Sequence, residues 1–206
     1  MTPGRPGAGT PKEQLPAVVL ASDVVGYRRM LDELSPTPFR RFAAEWFEEC
    51  ARAITAQKGA LDRMASGSVL AYWLIDHPDR PAGEIALALR AAAEIASLAE
   101  EFAACFFDRF GGGEFRIGVG VHVGSVELGN AGATQEQVWT LLGEAVSVAV
   151  GLEALAEERA RPVVVSDAVA ERAPAGHVFR ELDAAVVKQS ERVVQAFALE
   201  LSSLPA

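Results

Sequence analysis

The chain has only two cysteines, Cys50 and Cys105, three histidines, and a deficit of positive charge. Two cysteines do not exclude one disulfide, but nothing suggests a secreted scaffold. Both lie inside apolar helical patterns, where a free cysteine packs as a small buried hydrophobe. The three histidines find no Cys, His or carboxylate partner at metal-ligand spacing. His122 therefore reads as structural, and His77 and His177 as exposed loop residues. No apolar run is long enough to span a bilayer. Residues 17–21 are too short for a signal sequence and are followed at once by Asp23, so a cytoplasmic location is expected. Nineteen Lys and Arg face 28 Asp and Glu, a net charge of −9. The pairs Arg28-Arg29 and Arg40-Arg41 are interleaved with Asp32, Glu33 and Glu45 and read as solvated helix faces. Without a segregated basic stripe, neither nucleic acid nor a membrane surface is expected as a partner.

What is present is enough for one core. In 206 residues, 50% are hydrophobic and 18 are glycine, which suits one well-filled domain rather than two. Residues 1–15 are Gly/Pro-rich and aperiodic and read as a flexible leader; the domain is expected over 16–200, with a tail at 201–206. A strand is expected around Val18 and Val19. Phe39, Phe42, Ala43, Trp46, Phe47, Cys50 and Ile54 recur at helical spacing, opened by Pro36 and Pro38 and closed by Gly59. Two strands, 60–64 and 69–75, are joined by Ser66, Gly67 and Ser68 as a hairpin. An alanine-rich helix over 82–107 carries Ile95, Leu98, Phe102, Cys105 and Phe106 on one face and is broken by residues 111–113. Residues 115–123 alternate apolar with small, and the glycines on one face permit close approach by another element. A second strand is expected over 125–128, a loop over 130–137, and a helix over 139–157. A strand at 162–165, a short helix after Asp167, and strands near Val186 and over 194–199 follow. The order predicts an α/β sandwich of the α+β type: a ferredoxin-like core whose mostly antiparallel central sheet is flanked by helices.

Three blocks resemble the catalytic domain of the class III adenylate/guanylate cyclases across residues 16–199. They are Pro16 to Tyr27, with Asp23-Val24-Val25-Gly26-Tyr27; Gly59 to Ala71, with Arg63 and Ser66-Gly67-Ser68; and Phe115 to Glu153. The last contains Arg116-Ile117-Gly118-Val119-Gly120-Val121-His122, then Gly129-Asn130, then Trp139-Thr140 and Gly143-Glu144. One glycine pattern would say little, but three in order are specific. The resemblance implies a dimer with both active sites at the interface. It also implies two metal ions held by two carboxylates, which activate the 3′-hydroxyl and neutralise the triphosphate.

At the positions where the resemblance places chemistry, five of six residues are changed. Asp23 matches one metal carboxylate; Gly67 stands where the second should be. Val24, Val25, Gly26 and Tyr27 match the phosphate loop, and Lys188 a position near the triphosphate that also reads as a surface lysine. The purine-selecting pair is replaced by Arg63 and Val138, of which valine cannot hydrogen-bond. The transition-state Asn and Arg, four residues apart on one helix face, are replaced by Ser147 and Gly151. Losing one such donor costs on the order of a hundred- to a thousandfold in rate. Losing two plus a metal carboxylate costs roughly a millionfold. A mixed dimer does not rescue the chemistry, because members of both complementary sets are missing.

These observations imply a catalytically degenerate cyclase homology domain that dimerises and binds a regulatory partner or a small anionic ligand. Mg²⁺ or Mn²⁺ would enter only if the relic site binds nucleotide. One alternative is an active nucleotidyl cyclase that recruits another acid such as Asp62. Another is an interaction domain whose groove is filled by Met64 and Val138. Asp23 also has a structural reading as a helix N-cap. Glu144 reads as local capping, Trp139 as core or interface, and Gly129, Asn130 and Gly132 as a tight hairpin.

Overall fold

The computed structural model describes residues 14–111, 114–130, 139–182, 185–187 and 192–203. Strand β1 (Gln14–Val24) leads into helices α1 (Tyr27–Glu33) and α2 (Pro36–Ala56), followed by the hairpin β2 (Ala60–Ala65) and β3 (Ser68–Leu74). Helix α3 (Ala82–Phe110), strands β4 (Ile117–Asn130) and β5 (Trp139–Leu142), and helix α4 (Glu144–Glu158) form the middle of the chain. Strand β6 (Val163–Ser166), helix α5 (Asp167–Ala170), and strands β7 (Phe179–Glu181), β8 (Ala185–Val187), β9 (Arg192–Val194) and β10 (Ala196–Leu199) complete it. Eight strands make one sheet in the order β2-β3-β1-β4-β6-β10-β7, with β5 paired to β4; β8 and β9 pair separately. All pairings are antiparallel except β4 with β6. This is the α+β sandwich expected, with an open, mostly antiparallel sheet.

The two faces of the sheet follow the period-2 alternation of its strands. On one face Val18, Leu20 and Val24 of β1 and Ile117, Val119, Val121 and Val123 of β4 meet α2 and α3. Phe42 and Trp46 of α2 stack edge to face with Phe102 of α3 at 5.1 and 5.2 Å, and with Phe115 at 5.3 and 5.1 Å. On the other face Ala17, Val19 and Ala21 meet Ala145 and Ala149 of α4. The glycines of β4 explain how closely α4 lies: a Cβ on Gly120 would stand 2.0 Å from the Ala149 carbonyl oxygen. Among the described residues no helix is long and apolar enough to cross a membrane.

Several expectations are corrected. Among the described residues Gln14 and Leu15 already belong to β1, Gln14 pairing with Glu127, where a leader through residue 15 was expected. The strands at 115–123 and 125–128 are one strand, 117–130, because β1 pairs with it without interruption to Glu127. Residues 139–142 are β5 rather than the first turn of a helix; they pair with β4, and Gly143 at φ 131° turns the chain before α4 begins. Strand β7 was not anticipated. Cys105 is exposed, because it lies on the flank of the stripe formed by Ile95, Phe102 and Phe106. His177 is half-buried rather than exposed: its Nδ1 lies 2.9 Å from the Pro174 carbonyl oxygen, and its Nε2 is buried without a partner. Much of the 130–137 loop, including Gly132, lies outside the described residues.

Candidate functional site

Asp23 is the penultimate residue of β1 and shares the parity of Ala17, Val19 and Ala21, which places it on the α4 face of the sheet. Its Oδ1 accepts a 2.6 Å hydrogen bond from the Ser68 hydroxyl at the start of β3. Burial pushes the Asp23 carboxyl above the ordinary carboxylate value, opposed by that bond and by the Val24 backbone. Asp23 does not cap α1: the N-cap is Gly26, in the left-handed region at φ 70°, with no side-chain cap bond.

The loop after Asp23 is tied into the scaffold. The Val24 N–H donates to the Gly67 carbonyl at 3.2 Å and the Val25 N–H to the Arg116 carbonyl at 2.9 Å. Of Val24, Val25, Gly26 and Tyr27, only the last two therefore have N–H groups not given to these carbonyls.

Ser66 and Gly67 form the β2-β3 turn with φ values of 55° and 94°, the two consecutive positive values that a tight hairpin requires. A Cβ at Gly67 would stand 2.8 Å from both Cβ and Cγ of Tyr27. Tyr27 is itself held by Phe39 and Phe47, with ring centroids 5.4 and 6.3 Å away. The residues present thus do not fit a pair of metal ions shared between position 23 and the hairpin turn: the turn has no carboxylate, and Tyr27 occupies the space a side chain there would enter.

Asp62 is engaged elsewhere. It falls where the β2-β3 register shifts between Leu61 and Arg63, and such a bulge re-aims a side chain. Its carboxylate accepts the Leu141 N–H at 2.6 Å and the Thr140 hydroxyl at 3.2 Å, clasping β2 to β5. Arg63 and Met64 are exposed on β2. Ser147 and Gly151 lie four residues apart on α4, both half-buried. Glu144 is the acidic residue of the first turn of α4, where it suits the positive helix end. His122 lies 2.8 Å through Nδ1 from the buried Ser166 hydroxyl. Val138 and Lys188 lie outside the described residues.

Two cavities border this region. One, of about 340 Å³, is lined by Val25, Arg116, Ile117, Glu157 and Arg161 among others. The other, of about 550 Å³, is polar and is lined by His122, Glu127, Glu144, Asp167 and Arg172 among others. Neither of these two is lined by Asp23, Gly67, Ser147 or Gly151.

Sequence reasoning passed over Glu153. It is the buried acid of α4, 8% exposed, and the available signal was an acid next to Leu152 and two residues before Leu155 in an apolar helix stripe. Burial, then the charges of Asp23 and Glu157, push its carboxyl up to about 8.

No family profile matches the chain. It is 27% identical to adenylate cyclase 1 of Rhizobium meliloti over 168 residues, covering 81% of this chain and 25% of that protein. It is 24% identical to the adenylate cyclase of Anabaena cylindrica over 185 residues, covering 87% of this chain and 36% of that protein. The chain thus spans only about a quarter to a third of these relatives' length. Among solved structures, the adenylyl cyclase CyaB from P. aeruginosa superposes with a TM-score of 0.82 at 17% identity, covering 93% of this chain and 96% of that one. The guanylyl cyclase Cya2 gives 0.74 at 17%, covering 91% and 93%. The fold is that of a class III adenylyl or guanylyl cyclase domain, and the curated relatives are adenylate cyclases.

Proposed function

We propose that this chain is a catalytically degenerate class III cyclase homology domain, working as a dimerising regulatory module that holds a protein partner or a small anionic ligand. The observation that carries the reading is the hairpin turn at Gly67. The turn lacks the second metal carboxylate, and Tyr27 lies 2.8 Å from where any side chain would begin. Ser147 and Gly151 add to it, since glycine has no donor side chain and serine is too short to reach as the Asn of the resemblance would. The dimer is part of the same reading, because two-chain sites are what the resemblance implies; the solved neighbours include both a non-canonical dimeric guanylyl cyclase domain and a monomeric one. Any Mg²⁺ or Mn²⁺ would serve nucleotide binding rather than turnover.

The rival, an active nucleotidyl cyclase built on non-standard residues, would need a second acid for the metals. Asp62 is poorly placed for that, with both carboxylate oxygens accepting bonds from β5. The deciding experiment is mass spectrometry of long incubations of concentrated protein with ATP, GTP, CTP and UTP in excess Mn²⁺, beside Asp23→Ala. No cyclic product from any nucleotide is expected. Product that disappears in Asp23→Ala would overturn the reading.

A further inference from the structure

Helices α3 and α4 cover opposite faces of the sheet, and both border one cavity where the sheet runs out. There Val25 follows β1, Ile117 opens β4 and Pro162 precedes β6, and the cavity of about 340 Å³ occupies the space past these strand ends. Small-molecule sites usually measure about 300–1,000 Å³. The walls are short and apolar: Ala96, Ala99 and Ala103 recur on α3 at helical spacing, and Ala156 and Ala160 come from the end of α4. Backbone bonds fix them. The Val25 N–H donates to the Arg116 carbonyl at 2.9 Å, the Ala160 N–H to the Glu157 carbonyl at 3.2 Å, and the Arg161 N–H to the Ala156 carbonyl at 2.9 Å. The last two bonds make a Schellman motif, whose left-handed position is usually glycine. Ala160 holds that position at φ 50°, although glycine takes the conformation with less strain.

Three acids and two arginines border the cavity. Glu114 is paired with Arg116 at 3.0 Å, and Glu100 and Glu157 are exposed to water. Arg161 differs. It is half-buried, and among the described residues no ion pair or side-chain hydrogen bond engages it. A guanidinium partly withdrawn from water gains most from a carboxylate, whose two oxygens match its forked donors. We propose that this cavity binds a small molecule with a compact apolar body and a single carboxylate, the body against the alanine walls and the carboxylate on Arg161. The three acids disfavour a second negative charge on the ligand. A cationic head would meet only solvated acids, and exposed ion pairs contribute little. None of Asp23, Gly67, Ser147 and Gly151 lines the cavity, so the inference goes beyond the degenerate-cyclase reading and does not rest on it.

The test is isothermal titration calorimetry of the full chain with naphthoate and with two probes of the same body, the neutral naphthamide and the cationic naphthylmethylammonium. One saturable naphthoate per chain is expected, held at least about tenfold more tightly than either other probe, as a charge-assisted hydrogen bond supplies. Arg161→Gln should lose that tenfold for naphthoate and leave naphthamide unchanged, and the exposed-loop control Arg80→Gln should bind all three as the native protein does. Ala103→Leu fills the cavity from a half-buried helical position with another good helix former, and should weaken naphthoate and naphthamide together. Circular dichroism verifies the folding of each variant, and Arg161→Gln decides the matter if Ala103→Leu does not fold. No saturable naphthoate binding, equal or tighter binding of the ammonium probe, or naphthoate affinity unchanged by Arg161→Gln or by folded Ala103→Leu would each overturn the assignment. None of these outcomes bears on cyclic product formation, so failure here is distinguishable from failure of the degenerate-enzyme reading.

Discussion

At the scale of single residues, Glu153 ties stability to pH. Its folded-state pKa of about 8 lies above the ordinary value of 4.5, raised first by burial and then by the charges of Asp23 and Glu157. Protonation therefore favours the folded state. The stability linked to this group is fully present below about pH 4.5 and is lost as the pH rises towards 8. The loss is on the order of a few kcal/mol across that window. Glu153→Gln does not titrate, so relative to the native protein it is expected to gain stability steadily as the pH is raised from about 4 to 8. Urea denaturation at several pH values reads the difference, and parallel curves for the two proteins would contradict it. Gly67 and Tyr27 show the complementary situation: what decides that turn is occupied space rather than charge.

At the scale of elements, the packing of α4 on β4 depends on positions with no side chain. Gly120 faces the Ala149 carbonyl oxygen, 2.0 Å from where a Cβ would be, and the Glu153 backbone nitrogen at 2.4 Å. Both are backbone atoms, so the helix itself would have to move. Gly120→Ala is expected to cost about 3 kcal/mol or more, seen as a lower thermal midpoint or as insoluble protein. Stability within about 0.5 kcal/mol of native would mean that α4 rides further from the sheet than described. A second inter-element device is the Asp62 clasp, which uses a bulge in β2 to hold β5 through two hydrogen bonds. An acid that is a candidate ligand in the sequence alone becomes a structural tie once β2 and β5 are neighbours.

At the scale of the whole molecule, the positions marked by the cyclase resemblance are contributed by different elements of one chain. Asp23 and Gly67 meet at the end of β1 beside the hairpin, whereas Ser147 and Gly151 lie on α4. The proposed dimer would unite the two sets from two copies, and among the described residues exposed apolar side chains such as Met64 of β2 and Leu142 of β5 are available to an interface. Sedimentation equilibrium at micromolar concentration is expected to give twice the 21.8 kDa chain mass. A monomer at that concentration would remove the dimer from the proposed function.

The sequence by itself determined most of the element order and the apolar face of α2. The spacing of Phe39, Phe42, Trp46 and Cys50, and the apolar-small alternation through Gly118 and Gly120, follow from local periodicity and need no partner to be read. It also showed what the relic site lacks, because a glycine at 67 cannot be a carboxylate in any fold. Only the tertiary structure decided the rest. That 139–142 is a strand depends on β4 lying alongside, since a short apolar run has no period of its own. That Asp62 is a tie, Tyr27 a plug beside Gly67, and Glu153 a buried acid against Gly118 depends on contacts between residues 35 to 79 positions apart. Hydrogen bonding, steric exclusion and charge coupling act through distance in space, and the chain's order along the sequence does not carry that distance.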